Sequence, residues 1–202
     1  MGKPNVIILS GFLGSGKTTV LVRMIERLRE REGADYRIAI VENEIGSASV
    51  DSSIIQEAGY SVTEMLSGCV CCTLIGQLVP ALSKLEEELD PHLVILEATG
   101  MASPGSMADN LAKYGGYPVR IVTLVDASRW RRIKLALQIL LEAQVEPADI
   151  VCVNKVDLAD EGTLAEVDAD IRAINPGVGV VHLSASTPVD AGLLDEVLGG
   201  LS

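Results

Sequence analysis

The chain has 202 residues, enough for one ordinary domain with a buried core. Its 16 Lys and Arg against 28 Asp and Glu leave a net charge of −12, which repels phosphate backbones and argues against nucleic acid as a general partner. Hydrophobic residues at 48% and charged residues at 22% argue against disorder, and aromatics at 3% leave the core to aliphatic side chains, as suits a buried parallel sheet.

The first predicted element is an apolar strand over 6–9, ending at Ser10-Gly11. It is too short for a signal core, no cleavage site follows it, and no apolar run approaches the roughly 20 residues of a membrane helix. A cytoplasmic chain with no membrane partner is expected. Gly11-Phe12-Leu13-Gly14-Ser15-Gly16-Lys17-Thr18 comes next and fits G-x-x-x-x-G-K-S/T between a strand and a helix. Glycines let backbone N–H groups turn inward around phosphates, and the following helix aims its positive end at them. Gly11, Gly14, Ser15, Gly16, Lys17, Thr18 and Thr19 form the candidate phosphate-binding set. Lys17 reaches the outer phosphates and the Thr18 hydroxyl ligates Mg²⁺.

Leu21, Met24, Ile25 and Leu28 lie at helical spacing over 18–30, and a strand follows over 37–41. A short strand over 60–66 leads to Gly68-Cys69-Val70-Cys71-Cys72-Thr73. Three thiols in four positions do not close loops, so in a reducing compartment they read as metal ligands or a redox group. Soft sulfur ligands suit Zn²⁺, with Co²⁺, Ni²⁺ or Cu(I) as alternatives. Three sulfurs leave one tetrahedral position, for Glu42, Glu44, water or a group from a second subunit. A helix over 74–89 ends at Asp90-Pro91, and a strand over 93–96 ends in Glu97-Ala98-Thr99-Gly100. A carboxylate at that strand end is placed to hold Mg²⁺, directly or through water. Gly100 is a candidate γ-phosphate contact and switch hinge.

A strand over 119–125 precedes a helix over 128–144 with Trp130, Ile133, Leu137 and Leu140 on one face. The cations Arg129, Arg131 and Arg132 are read as solvent-facing at the start of that helix. The sixth strand, 150–153, ends in Asn154-Lys155-Val156-Asp157. Asp157 can accept hydrogen bonds from guanine's ring N–H and amino group, whereas adenine lacks that amino group. Asn154 and the Lys155 stem support the base and the loop. A Thr163/Glu166 capping box starts a helix to about 174, a strand follows over 178–183, and a last helix spans 193–201. Ser184-Ala185, after the last strand, resembles the second guanine-contacting loop of GTPases. Cys152 is expected in the core, and His92 and His182 in structural roles. The alternation predicts an α/β fold, a mostly parallel sheet with helices on both faces.

Phosphate loop, Glu-ending strand, C-x-C-C and N-K-x-D in that order resemble the CobW/HypB/UreG family of P-loop GTPases, within it the CobW-like metallochaperones. Glu42-Asn43-Glu44-Ile45-Gly46 adds to the match. The resemblance implies a SIMIBI-like P-loop NTPase domain spanning 1–202, without a C-terminal CobW-type domain. It implies binding and hydrolysis of GTP, with GDP and Mg²⁺, coupled to delivery of a transition metal. The implied partner is a recipient metalloenzyme or cofactor-assembly protein, and a homodimer is plausible by the same likeness. Glu44, or nearby Asp51, is implied to approach Mg²⁺ or the attacking water. Lys17, Thr18, Glu44, Glu97 and Gly100 are thus the catalytic candidates. Cys69, Cys71, Cys72 and Glu42 are the transition-metal candidates. Ile45 stands where the family has an aromatic, and Ser47 where it often has an acid. The competing readings are a P-loop small-molecule kinase and a metal sensor or store with vestigial hydrolysis.

Overall fold

The computed structural model describes residues 2–42, 61–64, 75–98, 100 and 102–199, with the side chains of 42, 61–64 and 75–77 outside that description. Seven strands form one sheet: β1 (Asn5–Gly11), β2 (Ile38–Glu42), β3 (Ser61–Glu64), β4 (Leu93–Glu97), β5 (Val119–Asp126), β6 (Ile150–Asn154) and β7 (Gly179–His182). Their order is β3-β2-β4-β1-β5-β6-β7, and all six pairings are parallel. From β1 the chain moves to β2 and β3 on one side and returns to β4 beside β1. It then crosses to β5 on the other side. The C-terminal end of β1 is therefore where the winding reverses, which is where open α/β sheets leave a crevice for a ligand.

The strands are apolar because both faces are covered. Val6 and Ile8 of β1 point into one core layer, and Ile7 and Leu9 into the other. The first layer packs under α2 (Ile75–Leu89), α3 (Pro104–Asn110), α4 (Trp130–Val145) and α5 (Glu161–Ile174). The second packs under α1 (Lys17–Glu32) and α6 (Ala191–Leu198). Val20, Leu21, Met24, Ile25 and Leu28 form the stripe that α1 lays on the sheet. Truncating Leu21 to Ala there costs about 2–5 kcal/mol, transfer and cavity together. Bidentate Arg27–Asp195 bonds of 2.6 and 2.9 Å tie α1 to α6. Cys152 is wholly buried between β5 and β7, and burial pushes its thiol up to about 12. Among the described residues no helix is long and apolar enough to cross a membrane.

Three local readings differ from expectation. Helix α3 was not anticipated. Ser103 accepts a hydrogen bond from the Ser106 N–H at 3.3 Å, Pro104 takes the first turn, and a π-helical turn follows over Leu111–Gly115. The cap of α5 is Asp160, bonded to the Thr163 N–H at 2.6 Å, and Glu166 pairs instead with Arg131 at 2.6 Å. Helix α4 departs from helical geometry at Leu137 (φ −138°), which is 41% exposed. Its buried face is Trp130, Ile133, Leu141, Gln144 and Val145, so the periodicity through Leu137 and Leu140 fails past that point. Arg129, Arg131 and Arg132 are exposed, as expected, and Arg129 also donates to the Leu13 carbonyl at 3.2 Å.

Candidate nucleotide site

The turn from β1 to α1 carries the glycine-rich motif at the reversal point of the sheet. Gly16 caps α1 with φ 98°, in the left-handed region, and no side chain caps that helix end. No acidic residue stands in the first turn. The positive end of α1 is thus left for an anion. Glycine is sterically required here: a Cβ on Gly16 would fall on the Asn154 amide nitrogen, and one on Gly11 (φ 132°) on the Leu124 carbonyl oxygen. Gly14 also has positive φ, 78°. Ser15 Oγ is buried with no hydrogen-bond partner among the described residues, an orphan inside the loop that a ligand oxygen would satisfy.

Lys17 opens α1, with Thr18 and Thr19 behind it. Its Nζ donates to the Gly11 carbonyl at 3.2 Å and lies 3.9 Å from Glu97 Oε1. Glu97 ends β4, whose register sets it beside Leu9 of β1. Gly100 packs on the loop itself: a Cβ there would sit 3.2 Å from both the Leu13 nitrogen and the Phe12 Cα. Lys17, Glu97, Gly100 and the glycine loop therefore share one edge.

On the other side, Asn154 ends β6 and is 2% exposed. Its Nδ2 donates to the Ser15 carbonyl at 2.8 Å. Its Oδ1 accepts from the Lys155 N–H at 2.8 Å and the Ala185 N–H at 3.0 Å. One amide thus joins all three predicted segments: the glycine loop, the N-K-V-D turn and Ser184-Ala185. Lys155 holds a left-handed backbone (φ 62°). Its Nζ donates to the Gly14 carbonyl at 2.6 Å and pairs with Asp126 at 2.7 Å. Asp157 accepts from Ser184 Oγ at 2.5 Å, which fixes its carboxylate beside the same loop.

Two residues went unnoticed in the sequence. Asp126, at the end of β5, is buried and takes Lys155 on one oxygen and the Ser128 N–H and hydroxyl on the other, at 3.0 and 2.6 Å. Gln144, 2% exposed, accepts from the Gly11 N–H at 3.1 Å and donates to the Ala102 and Gly100 carbonyls at 2.8 and 3.3 Å. Only tertiary structure brings these together, although Asp at a strand end opposite Asn154 was a readable hint. Glu44, Cys69, Cys71, Cys72 and the Glu42 side chain lie outside the described residues. Among those described, no cluster of His, Cys, Asp and Glu forms a metal site.

The nucleotide-binding domain of CobW/HypB/UreG matches residues 5–182. The chain belongs to that family. Zinc chaperone YjiA of Escherichia coli is 34% identical over 205 residues, 96% of this chain and 61% of that protein. Zinc-regulated GTPase metalloprotein activator 1 of Dictyostelium discoideum is 30% identical over 85% of this chain and 44% of its own length. The chain thus spans about half the length of these relatives. Among solved structures, the hydrogenase maturation factor HypB of Archaeoglobus fulgidus has the same fold, with a TM-score of 0.73 at 20% identity over 98% of this chain and 91% of that one.

Proposed function

We propose that this domain binds and hydrolyses GTP and couples its nucleotide state to binding and delivery of a transition metal. The single observation that carries the nucleotide half is the Asn154 amide. It bonds to the Ser15 carbonyl on the glycine loop and to the Ala185 N–H, so a phosphate cradle and a base-reading turn form one unit. A kinase has no use for a guanine-reading carboxylate in that place.

In this reading the backbone N–H groups of 14–19 and the α1 terminus hold the phosphates, and Ser15 Oγ finds its partner there. Lys17 leaves the Gly11 carbonyl for the outer phosphates and neutralises charge that develops on the leaving oxygen. Asp157, steadied by Ser184, reads the guanine edge. Thr18 and Glu97 offer hard oxygen donors, which fit Mg²⁺; bound there, the ion would neutralise charge on the phosphates. Glu44 and Gly100 are assigned to the attacking water and the γ-phosphate. The metal cargo is assigned to Cys69, Cys71 and Cys72 with Glu42. That assignment rests on the thiol chemistry and is supported by the zinc in the names of the two relatives above. A recipient protein follows from delivery, and a homodimer is retained as part of the proposal.

The test is metal titration of the reduced protein against a chromophoric chelator, done without nucleotide, with GDP and with a non-hydrolysable GTP analogue. Zinc affinity is expected to differ between the nucleotide states and to vanish in a Cys69→Ser/Cys71→Ser/Cys72→Ser variant. Equal affinity in all three states would replace coupling with storage. Wild-type affinity in the triple variant would sink the thiol assignment.

A further inference from the structure

Helix α4 lays one polar side chain among its buried residues, and that side chain does not serve the helix. Gln144 sits with Trp130, Ile133, Leu141 and Val145 on the inner face. Burying an amide costs several kilocalories unless its partners are supplied, so its partners carry meaning. All of them lie far along the chain: Gly11 at 133 residues, Gly100 at 44 and Ala102 at 42. Its own carbonyl also accepts from Thr123 Oγ1 at 2.9 Å, and that hydroxyl meets Ser10 Oγ at 2.8 Å. The amide is anchored at both ends of the residue.

We propose that Gln144 is a positioning residue that sets the distance between the opening of the phosphate loop and the turn after β4. Its oxygen takes the N–H of Gly11, the residue at which β1 leaves the sheet for the loop. Its nitrogen holds the carbonyls of Gly100 and Ala102. Gly100 lies so close to the loop that a Cβ there would press on the Phe12 and Leu13 backbone, so a small shift there redirects its N–H relative to the phosphates. This proposal rests on the nucleotide reading above. It says further that the third-phosphate side of the site is held in register by a side chain from a helix that carries none of the nucleotide motifs. Loss of Gln144 therefore acts on the reacting complex rather than on retention of the nucleotide.

The test uses Gln144→Glu and Gln144→Met. Glutamate keeps the acceptor for Gly11 but, when ionised, turns both donated bonds into oxygen–oxygen repulsion; when protonated it restores one donor. Methionine keeps the length and removes every hydrogen bond of the side chain. Fluorescent GDP affinity, single-turnover GTP hydrolysis from pH 6 to 9 and thermal unfolding are measured on wild type and both variants. Expected are GDP affinities within about two-fold of wild type and turnover down about ten-fold at pH 8 in both, the scale of one buried hydrogen bond. The deficit of Gln144→Glu relative to wild type should shrink towards pH 6, and that of Gln144→Met should stay flat. Unchanged turnover in both variants, equal deficits at every pH, or affinity losses that match the turnover losses would each overturn the proposal. A wild type that binds no guanine nucleotide would instead overturn the reading of the site on which the proposal stands.

Discussion

The two halves of the candidate site are built differently. On the base side, Asn154, Lys155, Asp157, Ser184 and Ala185 are locked by short hydrogen bonds among protein groups. On the phosphate side, Lys17 reaches the Gly11 carbonyl at 3.2 Å and stands 3.9 Å from Glu97, while Ser15 Oγ is an orphan. One half is preorganised. The other is held by contacts that a ligand would replace. Preorganised donors and acceptors give selectivity, because no reorganisation is needed on binding. Replaceable contacts give response, because ligand and protein compete for the same cation. A domain that identifies its nucleotide firmly and registers its phosphates sensitively needs both.

The largest expected effect comes from cutting the link between the halves. Asn154→Ala removes three hydrogen bonds at a buried position, at about 1 kcal/mol each. GTP and GDP affinity should both fall by about a hundred-fold in fluorescent-nucleotide titration. A loss confined to one nucleotide would break the idea of a common base-side scaffold.

Gly16→Ala comes next. It places a Cβ against the Asn154 amide at a backbone with φ 98°, so loop and scaffold are forced apart. Nucleotide affinity should drop by ten-fold or more, with about 1 kcal/mol or more of stability lost in urea unfolding. Wild-type affinity would mean that the phosphate side is looser than described.

Asp157→Asn sharpens the selectivity claim without disturbing either backbone. The amide can donate where the carboxylate accepts, so preference should move from GTP towards XTP, whose base carries a carbonyl in place of guanine's amino group. Competition between the two nucleotides reads this directly, and an unchanged order of preference would remove Asp157 from base reading.

The smallest effect is a control outside both halves. Burial raises the Asp170 carboxyl, but hydrogen bonds from Lys134 at 2.6 Å and the Trp130 indole at 2.8 Å outweigh it and hold the group below its ordinary value. A depressed folded-state value means stability that is present above the unfolded value of about 3.9 and lost as pH falls through the folded one. Asp170→Asn should therefore lower stability modestly at pH 7, and the gap to wild type should close below about pH 4 in chemical denaturation. Nucleotide affinity should not move.

Much of this was legible in sequence because its signals are contiguous. Among the described residues, all seven strands and five of the six helices follow from apolar runs and helical spacing. The glycine loop and N-K-V-D each announce themselves within eight residues. What was not legible acts at a distance. Gln144 reads as an ordinary polar residue near a helix end until β1 and the turn after β4 come to lie beside it. Asp126 looks like a strand terminator until Lys155 arrives. The cap of α5 was misassigned because Asp160 and Thr163 both suit a cap, and only the chain's path into the helix decides. The periodicity of α4 failed because it assumed an unbroken helix, and the backbone leaves helical geometry at Leu137.

The buried thiol on β6, one strand in from the edge of the sheet, gives a practical handle. Thiolates are the reactive form, and a thiol pushed up to about 12 with no exposed surface does not react at neutral pH. The chain has four cysteines, so whatever a maleimide consumes in the native protein belongs to Cys69, Cys71 or Cys72. The fourth equivalent is released only when strand β6 separates from its neighbours. A single labelling time course thus tests the proposed metal occupancy of those three thiols in its early phase and reports opening of the sheet in its late one.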